Sequence, residues 1–188
     1  MSKCVFLFMA VALLIAPSLT AQTQDNPALK PILNNFGARN YASGEVTKAE
    51  LDLIIQAGIR APSAGNRQPW HFTAVRDQAL AKRVLPQTTD GNVLVIVSST
   101  GDIQNSAVVL DCALAVQSVY LAAQALGLGS RIYTGPIANI NANYKADLGL
   151  PGNYNAVALV RIGRLPAGID AVSSASPRND AGRLVTYK

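Results

Sequence analysis

The chain has 188 residues, 49% hydrophobic, 14% charged and 6% aromatic, with a formal charge of +5. That is enough chain for one domain with a real core, and it excludes a disordered chain or a charged tail. The basic residues are scattered without a Lys/Arg block, so no nucleic-acid partner is expected. The charge is either a mild bias toward anionic small ligands or a solvated surface.

Lys3 is followed by an apolar run over residues 4–16, CVFLFMAVALLIA, which Pro17 and Ser18 break. A bilayer span needs ~20 apolar residues, so the run reads as the core of a signal peptide over 1–21, with Ala21 last before cleavage. The mature chain is then periplasmic or secreted, with no stable membrane insertion. An uncleaved anchor is the alternative. No twin Arg precedes the run, which points to the general secretory route. Cleavage removes Cys4, so Cys112 is left without an internal disulfide partner and reads as a small buried hydrophobe.

Residues 22–28 read as a polar leader and 29–36, LKPILNNF, as a short helix. Thr47-Lys-Ala-Glu50 is a capping box, and Leu51, Ile54, Ile55 and Gly58 follow at helical spacing, which predicts a helix to about Ile59. Pro62 ends it, and PSAGNRQP is a loop. A strand is predicted over 71–75, and a short helix over 77–85 with Asp77 as cap. VLVIV, 93–97, is a β-branched run expected as a buried strand. Residues 102–126 form the longest predicted helix, closed by Gly127 and Gly129. A strand over 131–133, a helix over 137–148 and a strand over 155–162 follow, with a candidate last strand over 184–187. No regular βαβ rhythm appears. The expectation is therefore one α+β domain over 28–188, a mainly antiparallel central sheet flanked by helices.

Several chemistries lack their signatures. Gly127-Leu-Gly129 begins a dinucleotide fingerprint, but Ile132 holds the third glycine position and the motif follows a helix. There is no P-loop and no GxSxG elbow. One His and one remaining Cys exclude a zinc site. A serine hydrolase would have to pair Ser63 with His71. A lone His of that kind is more often a hydrogen-bonded structural residue.

Four segments remain: GARNY at 37–41, APSAGNRQPW at 61–70, DCALAVQSVYLAAQALGLGS at 111–130 running into RIYTGP, and SPRNDAGRLV at 176–185. In order and spacing they resemble the nitroreductase family of FMN enzymes over about residues 28–188, most specifically around Asn66-Arg67-Gln68-Pro69-Trp70. The resemblance implies the nitroreductase-like fold, an intertwined homodimer and two FMN sites at its interface. It also implies hydride transfer from NAD(P)H or another donor, through flavin N5, to nitro, quinone or similar planar electrophiles. Carried over residue by residue, Arg39 faces the pyrimidine edge of the flavin and Asn66 its O4/N3 region. Pro62, Ser63, Ala64 and Gln68 line the same loop. Thr134 and Gly135 bring a backbone N–H to N5, and Arg178 meets the phosphate. No side-chain general acid is assigned. A fixed cation beside the edge that gains negative charge stabilises the reduced ring, and a carboxamide can both donate and accept beside it. The chain departs from the pattern at Asn35, Gly37 and Ser176, where the family places phosphate contacts. Each charge-assisted bond lost there costs about 1.5–3 kcal/mol. The alternative is a non-catalytic binder of flavin or another planar ligand on the same fold.

Overall fold

The computed structural model of the protein describes residues 26–100, 105–169 and 177–188. The signal peptide expected over 1–21 and the departure at Ser176 lie outside the described residues. The elements are α1 (Lys30–Leu33), α2 (Lys48–Ile59), β1 (Trp70–Val75), α3 (Gln78–Val84), β2 (Val93–Thr100), α4 (Ser106–Ala125), β3 (Gly129–Tyr133), the short α5 (Ile137–Asn139), β4 (Tyr154–Gly163) and α6 (Ala181–Leu184). The four strands form one sheet in the order β1-β2-β4-β3, every pair antiparallel. The expected α+β class and antiparallel sheet are what the chain adopts.

The core follows from the pleat. Val93, Val95 and Val97 of β2 point to the face covered by α2 and α4, with Trp70, Val160 and Ile162. Leu94 and Ile96 point to the other face, with Val75, Leu159 and Ile140, under α3 and the 137–150 segment. A strand covered on both faces needs apolar residues at every position, which is why VLVIV does not alternate. α2 lies close against this layer because Gly58 has no side chain: a Cβ there would come within 2.8 Å of Phe72 and Val119.

The capping box forms as expected. Glu50 N–H donates to Thr47 Oγ1, and Thr47 N–H donates to Glu50 Oε2. The same carboxylate receives both terminal nitrogens of Arg164 at 2.8 Å. The Arg164 hydrogen bonds, opposed by partial burial and helped by Thr47, pull the Glu50 pKa down from 4.5 to about 2. A folded-state pKa below the unfolded one gives stability that is complete above about pH 5 and is lost as pH falls toward 2. The side chains are 23% and 35% exposed, so solvent screening discounts the pair. Glu50→Gln is expected to cost about 1 kcal/mol at pH 7 and less at pH 3. Urea unfolding at the two pH values checks this, and an equal loss at both would contradict it.

Four expectations need correction. The 29–36 helix is one turn, Lys30–Leu33, because residues 35–38 are drawn onto α4 and β3. The 137–148 helix is a short α-turn that widens into a π-turn over Ile140–Tyr144. There the Asn141 side chain forms a reciprocal pair with the backbone of Ala156. Gly127, at φ 75°, closes α4 alone, while Gly129 already belongs to β3. No strand forms at 184–187: Asp180 caps the short α6, and residues 185–188 make no ladder. α4 is described from Ser106, with the Asn105 side chain capping Ala107 N–H. Its buried Cys112 is the free cysteine of the described residues, and burial raises its thiol pKa to about 11.

Candidate active site

The loop after α2 carries five of the predicted residues. Arg60 and Ala61 close the helix, and a 3-10 turn spans Ala64–Asn66. Three residues here lie in the left-handed region: Gly65 at φ 58°, Asn66 at 55° and Gln68 at 47°. Asn66 and Gln68 are the non-glycine residues with positive φ among the described residues. Each such conformation costs about 1–3 kcal/mol, and such costs gather at functional sites.

The turn is held by its own groups and by α4. Asn66 N–H donates to Ser63 O, and Gln68 N–H donates to Ser63 Oγ at 3.0 Å. Gln68 Nε2 donates to Asn66 Oδ1 at 3.0 Å, so the two carboxamides form one linked polar edge. Ala64 N–H and Arg67 reach the two carboxylate oxygens of Asp111, at 3.0 and 3.1 Å. Pro62, Ala64, Asn66 and Gln68 are exposed and Ser63 is half-buried. The structure therefore brings these five together as one accessible surface.

A second group forms around the extended segment that precedes Arg39. Gln124 makes a reciprocal pair with the Phe36 backbone, donating also to Ser130 Oγ, which donates to Tyr120 O. Ala38 N–H donates to Ser130 O and Ala42 N–H to Arg164 O. Arg39 is exposed between these two fixed points. Tyr41 lies beneath the buried Arg161 guanidinium, 3.9 Å from its ring centre. Burial pushes the Tyr41 phenol pKa up, with Arg161 the main opposing influence. The Tyr120 hydroxyl donates to Asn35 Oδ1. Its pKa is also raised by burial, with the Gln124 hydrogen bond and the Arg178 charge acting against this. The Arg178 charge is thus felt at Tyr120.

The two groups stand at opposite ends of the sheet. The 62–68 loop enters at Trp70, which pairs with Ser99, and Ser99 pairs with Asn155. Ala38 is tied to Ser130, which pairs with Ile162. Seven strand positions from Asn155 to Ile162, at ~3.3 Å each, amount to about 20 Å. Within one copy of the chain Arg39 and Asn66 do not meet. Thr134 and Gly135 leave β3 toward the end where the 62–68 loop lies, both exposed, with open space where a Gly135 Cβ would point. A groove of about 510 Å³ between α1, the end of α4 and Leu165–Ile169 is lined by none of the predicted residues.

The Ser63–His71 pair does not form. Ser63 Oγ is engaged by Gln68 N–H, and His71 packs edge-on against Tyr154 at 5.4 Å between ring centres. Asp111, which both Ala64 and Arg67 reach, is a site-forming residue the sequence reading did not single out. Its signal was present: it is the lone charged residue in a twenty-residue apolar helix, and a buried carboxylate needs partners.

The residues present fit a planar heterocycle with a polar edge. The loop offers linked carboxamides and small side chains that leave the backbone open, and the second group offers the exposed Arg39 and Arg178. Asp111, the carboxylate beside the loop, is engaged by Ala64 and Arg67. The chain matches the family described as the nitroreductase family over residues 38–94 and 85–164. A protein of Archaeoglobus fulgidus named as an NADH dehydrogenase/NAD(P)H nitroreductase is 31% identical over 146 residues, which cover 72% of this chain and 83% of the relative. A solved nitroreductase in complex with FMN from Desulfovibrio desulfuricans is 27% identical, with a TM-score of 0.72 over 87% of this chain and 98% of that one. A nitroreductase with bound FMN from Bacteroides fragilis shares the fold at 24% identity and a TM-score of 0.71, over 87% of this chain and all of that one. On its family match, its relative at 31% identity and its fold, this chain belongs to the nitroreductase family.

Proposed function

We propose that this chain is a homodimeric FMN-dependent oxidoreductase that takes reducing equivalents from NAD(P)H or another donor. It passes them to nitro, quinone or similar planar electrophiles. The observation that carries the reading is the left-handed pair Asn66 and Gln68, whose linked amides are held out at the surface at a cost that packing does not explain. When bound, FMN supplies hydride-accepting and hydride-donating chemistry at its N5.

The chain's residues do the rest. Asn66 and Gln68 hydrogen-bond the polar edge of the ring and fix its orientation. Pro62, Ser63 and Ala64 keep the loop backbone close. Arg39 places a cation where negative charge gathers on reduction. Thr134 and Gly135 offer backbone beside the reacting face, and Arg178 holds the phosphate end.

Because the strand register sets Arg39 and Asn66 at opposite ends of the sheet in one copy, a second copy completes the site in this reading. An exposed apolar stripe on α4, Leu110 at 60% and Leu114 at 37%, is the surface we assign to that contact. α4 is long and apolar enough to cross a membrane, but one face is packed into the core. We assign the outer face to the partner subunit. The 4–16 run places the mature chain outside the cytoplasm in this proposal.

The neutral residues at Asn35 and Gly37 favour a second reading, a flavin binder without turnover. One experiment tests both. Purified protein titrated with FMN should bind it and bleach on addition of NADH or NADPH under nitrogen. Binding without bleaching by either donor selects the binder, and no binding at all refutes both.

A further inference from the structure

We infer that Asp111 is a positioning residue: it holds the Ala64–Gln68 turn in its left-handed course and so sets where the Asn66 and Gln68 amides point. What those amides touch rests on the flavin reading above. How they are held rests on this chain's own contacts.

Asp111 is 3% exposed on a helix with no other charged residue. A carboxylate buried there is tolerated only if its oxygens are satisfied. One oxygen accepts from Ala64 N–H and the other from Arg67, so both are spent on the loop. These residues bracket Gly65 and Asn66, at φ 58° and 55°. Asp111 thus grips the turn on both sides of two of its three left-handed residues, Gly65 and Asn66.

Little else holds it. Residues 62–68 bury no large side chain, and their remaining hydrogen bonds among the described residues run within the loop, to Ser63, Ala64 and Asn66. α4, by contrast, is anchored by Cys112, Ala115, Val116 and Val119 in the core. Removal of the carboxylate therefore frees the loop and leaves the helix. The two contacts also separate by substitution. Asp111→Asn keeps an oxygen for Ala64 N–H, while Arg67→Met removes only the cation.

The test is a double-mutant cycle on FMN affinity together with amide exchange of the protein without flavin. Asp111→Ala is expected to weaken FMN by about 10- to 100-fold, and Asp111→Asn by less. Asp111→Ala added to the Asn66→Ala, Gln68→Ala pair should be no weaker than that pair alone, within about twofold, because the carboxylate acts through those two amides. Amides 64–68 should exchange faster in Asp111→Ala while those of β2 and β4 keep their protection. Losses that multiply, or unchanged exchange at 64–68, overturn the inference. If the unsubstituted protein binds no FMN, the flavin reading falls, and the exchange comparison still decides the role of Asp111.

Discussion

Leu110→Glu combined with Leu114→Glu is expected to give a folded monomer that no longer retains FMN. Leu110 and Leu114 lie one turn apart on the outer face of α4, and both are exposed in a single copy. The inner face of the same helix, from Cys112 through Ala123, is core. Carboxylates on the outer face therefore leave the fold intact and act only where a second copy covers them. Burying two unpaired charges in an apolar contact costs several kcal/mol, enough to weaken association by about 100-fold or more. Light scattering reads the mass and absorbance reads the bound flavin. A dimeric variant would show that α4 is not the contact. A monomer that keeps its flavin would show that one copy is a complete site.

Arg39→Met should slow flavin reduction by about 100-fold while most of the FMN affinity remains, since a removed donor at a developing negative charge costs about 10²–10³ in rate. The reason lies in how Arg39 is mounted. Gln124 and Ser130 clamp residues 36–38 to α4 and β3, and Ala42 is pinned to Arg164. The cation is thereby pre-placed at the end of β3, and its backbone does not have to reorganise when the ring gains charge. Stopped-flow reduction by NADH or NADPH measures the rate. Arg39→Lys should recover part of it, because charge returns without the planar fork. An undiminished rate in Arg39→Met would remove Arg39 from the site.

Local signals in the sequence carried most of the architecture. Thr47 and Glu50 announce a helix start, VLVIV announces a strand covered on both faces, and the absence of a βαβ rhythm announces an antiparallel sheet. The loop at 62–68 was legible as a candidate site because prolines, a glycine and two amides crowd beside the single Trp70. What escaped depends on partners distant in the chain. The 137–148 segment has a helical pattern, yet Asn141 is bound to the Ala156 backbone and the helix widens there. Residues 184–187 look like a strand but form no ladder among the described residues. Asp111 reads as one polar residue in an apolar helix until Ala64 and Arg67, more than forty positions away, are seen to converge on it. The separation of Arg39 from Asn66 is likewise invisible in the sequence, because it is set by strand register.

In the proposed dimer one site takes Arg39 from one copy and Asn66 from the other. Subunit mixing tests it most directly, using Arg39→Met homodimers and Asn66→Ala homodimers, each nearly inactive, unfolded together and refolded in equal amounts. In a twofold dimer with shared sites, each heterodimer combines both defects in one site and leaves the other site intact, so activity should return to about a quarter of the unsubstituted protein's. If each site took both residues from one copy, every site in the mixture would carry a defect, and no recovery would be seen.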